Sequence, residues 1–251
     1  MSDFLRQPGE QYKATIAYDG TDFLGFQIQA RGRTVQGVLE AALQKIAKQP
    51  VRVIGAGRTD TGVHASGQVV SFRVPWRHGL DDLHKAINAN LPPDVVSLEI
   101  SAIAGNFHPR FDARSRQYRY TILNQPVRDV FKRRYTMQVS QVLEVERMQR
   151  ASLYLLGSHD FASFGQAPQG DNTIRTVTEA AWSVKGPEII FEITANAFLY
   201  KMVRTIVGVL LEVGMGKFDD SEVKRILLAK DRASARAMAA PHGLCLVKVN
   251  Y

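Results

Sequence analysis

Residues 55–67 read GAGRTDTGVHASG, four glycines around a polar centre of Arg58, Thr59, Asp60 and Thr61, with His64 close behind. Glycine lets a backbone turn tightly and lets a ligand come close to it. An arginine, two threonines and an aspartate crowded between two apolar segments are more than a strand connection requires, and loops on a rigid scaffold are where sites tend to sit. Other chemistries fail on spacing. GAGRTD, and GMGKFD at 214–219, each lack the final glycine of a dinucleotide fingerprint, and neither a phosphate-binding GxxxxGK[ST] nor a GxSxG elbow occurs. The six histidines show no metal-ligand spacing, and the lone Cys245 forms no CxxC pair, so neither a metal site nor an internal disulfide is expected. Asp60 stands out as a carboxylate with no metal, phosphate loop or His/Ser partner in the sequence.

The elements that must hold this loop follow from periodicity. Tyr12 to Tyr18 alternates as a strand and ends at the turn signal Asp19-Gly20. From an N-cap at Thr34, Val35, Val38, Leu39, Ala42, Leu43 and Ile46 fall on one helical face. Strands are expected at Val51 to Ile54 and Gln68 to Val74, a helix at Leu80 to Leu91 and a strand at Val95 to Ile103. The periodicity breaks at 105–109, which divides the chain into residues 1–106 and 107–251. The second part repeats the logic with a strand at Gln117 to Leu123, a helix at Val145 to Leu156 and a hairpin of Val177 to Val184 with Ile189 to Ala195. A long helix at Phe198 to Val213, a short one at Ser221 to Ala229 and a strand at Leu244 to Val249 complete it. This alternation is an α+β pattern of two similar halves.

The 251 residues carry 32 Lys plus Arg against 24 Asp plus Glu, a net charge of +8, with 45% apolar and 22% charged residues. This is globular composition with a polyanion for a partner. From 108 to 136 there are eight bases (Arg110, Arg114, Arg116, Arg119, Arg128, Lys132, Arg133 and Arg134) against Asp112 and Asp129, a local net of +6. Arginines beside Tyr118 suit phosphate tracking with base stacking, although Lys132 to Arg134 also fits a solvated face. The polar lead MSDFLRQPGE has no signal-peptide core, and no apolar run reaches membrane-spanning length; the apolar 202–215 stretch, broken by Arg204 and Glu212, reads as a buried helix. A cytoplasmic, reducing compartment and a buried Cys245 thiol are expected.

Four separated motifs resemble those of the tRNA pseudouridine synthase A family, in the family's order: YDGTDFLGFQ with Thr34-Val35-Gln36, the GAGRTDTGVHA loop, 107–120 with Tyr118-Arg119-Tyr120, and NAFLYKMVRTIVG at 196–208. The resemblance implies two ferredoxin-like (RRM-like) halves whose antiparallel sheets join around a catalytic cleft. It further implies a cofactor-free homodimer that isomerises uridine to pseudouridine at positions 38, 39 and 40 of the tRNA anticodon stem-loop, with no role for DNA or a membrane. Carried over residue by residue, Asp60 matches the nucleophile, Arg204 the arginine paired with it, and Tyr118 the aromatic stacked on a flipped base. Arg58 is a candidate for holding the flipped conformation or for a salt bridge within the loop, and Arg110, Arg114 and Arg116 are candidates for RNA contact. Several points stay open in the sequence: whether Asp60 attacks the ribose C1′ or the base C6, whether Tyr118 or Tyr120 faces a core, and whether Arg204 has a buried partner or snorkels from the helix edge. A basic RNA-binding module with an incidental Asp60, and a synthase acting on another RNA, are the alternatives.

Overall fold

The computed structural model describes residues 9–168 and 170–251. The first eight residues of the polar lead, part of the stretch read above for a signal peptide, lie outside them, as does Gln169. The chain divides into two compact units, 1–114 with 246–251 and 115–245. The break expected near 106 therefore falls eight residues later in the units, and the last six residues rejoin the first of them.

In the first unit, alternation puts Tyr12, Ala14, Ile16 and Tyr18 on one face of β1 (Glu10–Tyr18), all buried. Helix α1 (Val35–Ala47) starts where expected: the Thr34 hydroxyl accepts the Gly37 N–H, a standard way of satisfying the first turn. β2 (Ile54–Gly55), β3 (His64–Val74), α2 (Leu80–Asn90) and β4 (Val95–Ile103) follow. β1 pairs antiparallel with β3 and with β4, and β2 pairs antiparallel with β3, giving the strand order 4-1-3-2. β10 (Leu244–Asn250) also lies against β3. The Tyr12↔Phe72 pair of β1 and β3 stacks its rings with centroids 5.9 Å apart.

The expected strand Val51 to Ile54 shrinks to the two residues of β2. Its backbone groups find other partners. The Val53 N–H donates to Glu40 Oε1 at 3.0 Å, and the Val53 carbonyl accepts from Gln36 Nε2 at 3.1 Å, so two α1 side chains replace a ladder. In compensation β3 begins at His64, inside the expected loop.

The second unit opens with β5 (Ser115–Asn124), continues through β6 (Met137–Val139), α3 (Val145–Ser152), a 3₁₀ turn, β7 (Gly157–Asp160), β8 (Ile174–Lys185) and β9 (Glu188–Ala195), then α4 (Met202–Gly214) and α5 (Glu222–Ala229). The strands run β5-β9-β8-β7, all antiparallel, with β6 parallel to β5. The β8–β9 hairpin turns at Gly186-Pro187 as the sequence suggests. α4 packs on α3, and α3 on β8. Every residue of α4 except Arg204 and Glu212 is buried, the pattern of a core helix with two polar interruptions. The helix begins at Met202, not Phe198, because Tyr200 and Gln166 exchange backbone hydrogen bonds and Lys201 turns left-handed at φ 64°. Cys245, expected to be buried, is half-buried on β10.

Candidate active site

Asp60 sits half-buried in the 56–63 loop between β2 and β3, and three sets of contacts fix that loop. At its β2 end, the Ala56 N–H donates to the Val69 carbonyl at 2.8 Å, and Gln68 clamps Gly57, its Nε2 donating to the Gly57 carbonyl at 2.9 Å while its Oε1 accepts the Gly57 N–H at 3.3 Å. Beside Asp60, the buried Thr59 hydroxyl is 2.8 Å from the Tyr18 hydroxyl. On the far side, the Val63 N–H donates to the Asp60 carbonyl at 3.1 Å, which tightens the turn.

The YDGTDFLGFQ segment has its explanation here. Residues 20–26 run backbone against backbone with 59–63. The Phe26 N–H donates to the Thr59 carbonyl at 3.1 Å and the Gly62 N–H to the Phe23 carbonyl at 3.3 Å. A Cβ on Gly20 would stand 2.0 Å from the Val63 oxygen, and one on Gly25, whose φ is +92°, would stand 2.7 Å from the Thr59 oxygen. Only glycine allows this approach. Gly57, by contrast, faces open space.

His64 is buried and structural. The Gly20 N–H donates to its Nδ1 at 3.0 Å, which requires an unprotonated Nδ1 and places the ring proton on Nε2. Asp19 Oδ1 also lies 3.2 Å from Nδ1, but that oxygen already accepts from the Thr21 N–H and hydroxyl at 3.0 and 2.6 Å. The histidine thus ties the turn after β1 to the start of β3. Its place in the motif did not distinguish this role from any other.

The same unit holds Arg58, Arg110 and Arg114. Arg58 is exposed. Arg110 is half-buried over the Phe111 ring at 5.9 Å; partial burial, then the nearby Arg58 charge, hold its pKa below the usual arginine range. Two cations kept close to each other in the unit that carries Asp60 suit an anionic ligand. Arg114 is exposed, its backbone N–H bonded to the Asn250 carbonyl at 2.8 Å.

The second unit holds Tyr118, Arg116 and Arg204. Tyr118 and Tyr120 share a face of β5. Tyr120 is fully buried, its hydroxyl donating to the Ala240 carbonyl at 2.8 Å, and burial holds its pKa far above the usual tyrosine range. Tyr118 keeps 9% of its surface and meets the edge of Phe198 at 5.1 Å and 87°. Of the two, Tyr118 is the less completely buried. Arg116 is 8% exposed and Nη1 donates to the Asn196 carbonyl at 2.8 Å, so this arginine braces the turn after β9. Arg119 and Lys132 pair with Glu192 and Glu188 of β9, which removes part of the +6 counted along 108–136. Arg204 is half-buried, its Nε donating to the Ala239 carbonyl at 2.9 Å while its own carbonyl accepts the Ala239 N–H at 2.9 Å. Residue 239 thus grips it twice, which fixes the guanidinium near the Tyr120 hydroxyl instead of leaving it to snorkel outward. Among the described residues, no cluster of His, Cys, Asp or Glu could hold a metal, and no helix is long and apolar enough to cross a membrane.

The family profile for tRNA pseudouridine synthase matches residues 14–112 and 151–251, blocks that contain both the Asp60 loop and α4. This chain belongs to the tRNA pseudouridine synthase family. It is 48% identical over 231 residues to tRNA pseudouridine synthase A of Halalkalibacterium halodurans, covering 91% of this chain and 88% of the relative. Its identity to the Limosilactobacillus fermentum enzyme of the same name is 43%, covering 96% of both chains, and to that of Brevibacillus brevis 42%, covering 96% and 100%. A tRNA pseudouridine synthase of this family is an isomerase, and the loop geometry above describes this chain's version of its GRTDTGVHA segment.

Proposed function

We propose that this protein converts uridine to pseudouridine in the anticodon stem-loop of tRNA, at positions 38, 39 and 40, with Asp60 as nucleophile. The observation that carries the reading is the Asp60 loop itself: a half-buried carboxylate held by backbone packing against 20–26, with Arg58 in the same loop and Arg110 close to Arg58. The reaction breaks the N1–C1′ bond, turns the base and forms a C5–C1′ bond. The C5 hydrogen leaves as a proton and N1 takes one up, with no redox change and no net water. Whether the carboxylate captures C1′ or adds to C6, covalent capture divides the reaction into two easier steps. A carboxylate that must stay ionised away from bulk water needs a cation, and Arg204 is the proposed partner.

A uridine in a stem must be flipped out, at a cost of a few kcal/mol. Stacking on Tyr118 at about 1 to 3 kcal/mol offsets this, and Arg58 is proposed to hold the opened conformation. Arg110 and Arg114 are proposed to contact phosphates; Arg116, anchored on Asn196, is proposed to act through the turn it braces. The strand order 4-1-3-2 of the first unit, with its element order strand-helix-strand-strand-helix-strand, supports a ferredoxin-like first half, and we infer a related second half from its antiparallel sheet β5-β9-β8-β7 packed with α3 and α4. We place the catalytic loop in residues 1–106 and the RNA-gripping basic segments in 107–251. A homodimer in the cytoplasm completes the proposal, since a tRNA is larger than a 28.0 kDa chain and can be held by one subunit while presented to the other.

The test is Asp60→Asn with tRNA carrying 5-tritiated uridine. The variant is expected to bind tRNA with unchanged affinity and to release no tritium. Near-normal release refutes the role of Asp60, and release confined to a different RNA refutes the substrate.

A further inference from the structure

Phe131 is the most exposed of the large apolar side chains described, at 90%, with Val130 beside it at 58%. An aromatic ring left in water on a floppy tip would mean little. This one is held. Asp129 Oδ1 accepts the backbone N–H groups of Phe131 and Lys132 at 2.8 and 3.3 Å, and the Lys132 carbonyl accepts from the Tyr135 and Thr136 N–H groups and the Thr136 hydroxyl at 2.9, 3.0 and 3.0 Å. The Lys132 ammonium bonds Glu188 at 2.6 Å, which pins the loop to the start of β9. The fold thus orders a loop at both its turns and presents a phenyl ring to solvent from the middle of it.

The surroundings select the partner. Arg128, Arg133 and Arg134 of the same loop are all exposed, and Lys132 bonds Glu188. A second copy of the chain docked here through a two-fold axis would bring like arginine clusters face to face. A polyanion carrying flat apolar groups meets both features at once, since arginines neutralise phosphates and an aromatic stacks on any unpaired base. We propose that the 128–135 loop is an accessory RNA-binding element in which Phe131 stacks on an unpaired base outside the catalytic site. This rests on the RNA substrate argued above, but it assigns Phe131 to binding and not to the isomerisation.

Phe131→Ala removes the ring at a surface position, with the Asp129 turn intact. Titrated against an unmodified tRNA transcript, it is expected to bind about 5- to 140-fold more weakly, while Phe131→Trp keeps near-native affinity and shows indole quenching on RNA binding. Heparin, a polyanion without bases, provides the control. Phe131→Ala should bind it like the parent, whereas Arg133→Ala should weaken both ligands and lower the salt slope on tRNA by about one. Tritium release by Phe131→Ala should show a raised KM and an unchanged kcat. The proposal is overturned if Phe131→Ala binds tRNA normally or if its loss on heparin equals that on tRNA. It is also overturned if the variant changes only sedimentation, from dimer to monomer, which makes the ring a self-association contact. A parent enzyme that releases no tritium refutes the isomerase reading, yet leaves the binding titration to decide Phe131.

Discussion

Gly25→Ala should move the Asp60 carboxylate, the proposed nucleophile, without touching it. A Cβ at residue 25 stands 2.7 Å from the Thr59 carbonyl oxygen and 3.3 Å from the Asp60 carbonyl carbon, where ordinary contact begins at 3.4 Å. The Thr59 carbonyl must therefore retreat by about 0.7 Å, and it cannot do so alone, because it accepts the Phe26 N–H and because Thr59 is tied through its hydroxyl to Tyr18. Asp60 is the next residue and shares the displacement. A misplacement of about 1 Å at a reacting group costs on the order of 100-fold in rate, so a kcat reduced by about 10- to 100-fold is expected, with tRNA affinity unchanged. The backbone at φ +92° adds strain of about 1 to 3 kcal/mol, visible as a lowered Tm. Gly57→Ala is the internal control: it lies in the same loop, at a φ open to any residue, with nothing within 4 Å of its new Cβ, and should leave Tm unchanged. The assay is single-turnover tritium release with thermal unfolding followed by circular dichroism. A Gly25→Ala enzyme with parental kcat refutes the argument that 20–26 positions Asp60.

The Tyr18–Thr59 hydroxyl pair predicts a coupling: Tyr18→Phe and Thr59→Val should each cost about 1 to 2 kcal/mol in urea unfolding, because each leaves a buried hydroxyl without its partner, and the double variant should cost clearly less than the sum. His108 predicts a pH dependence. Partial burial holds its pKa below the ordinary histidine value of about 6.5, so the unfolded chain takes up the proton first as pH falls. Stability should accordingly decline below about pH 6.5, levelling off beneath the folded pKa, and His108→Asn should flatten that decline in pH-dependent melting curves.

The elements best read from the sequence are those whose partners are local or whose alternation is regular. The helix at 35–47 announced itself through Thr34 and one apolar face, and the strand Val95–Ile103 was found at both ends. What the sequence concealed depended on distant groups. Val51 and Val53 are buried like strand residues, but Gln36 and Glu40 satisfy the backbone that a ladder would have used. The start of β3 at His64 is set by Gly20 and by Val247, whose oxygen lies 2.2 Å from where a Gly67 Cβ would be. In the candidate site, the composition of the Asp60 loop was legible and its scaffolding was not. Gly20 and Gly25 could be seen as motif residues, but their purpose is a backbone approach that no periodicity encodes. The basic segment misled in a different way, since counting charges along 108–136 could not show that Arg119 and Lys132 are spent on β9 or that Arg116 points inward.

The return of residues 246–251 to the first unit bears on how the protein is made. Arg114 reaches Asn250, the Tyr251 hydroxyl donates to the Pro109 carbonyl at 2.8 Å, and the Tyr251 ring packs on Phe107 at 5.0 Å with the Lys13 ammonium 5.6 Å above it. Roughly 130 residues are synthesised between the two pieces of this unit, about 7 to 26 seconds of translation. Through that interval the Asp60 loop exists on the ribosome while the strand that flanks β3 does not. A chain interrupted after residue 67 and before residue 246 carries every residue of the GRTDTGVHA segment in an unfinished sheet, which is complete only when residues 246–251 are delivered.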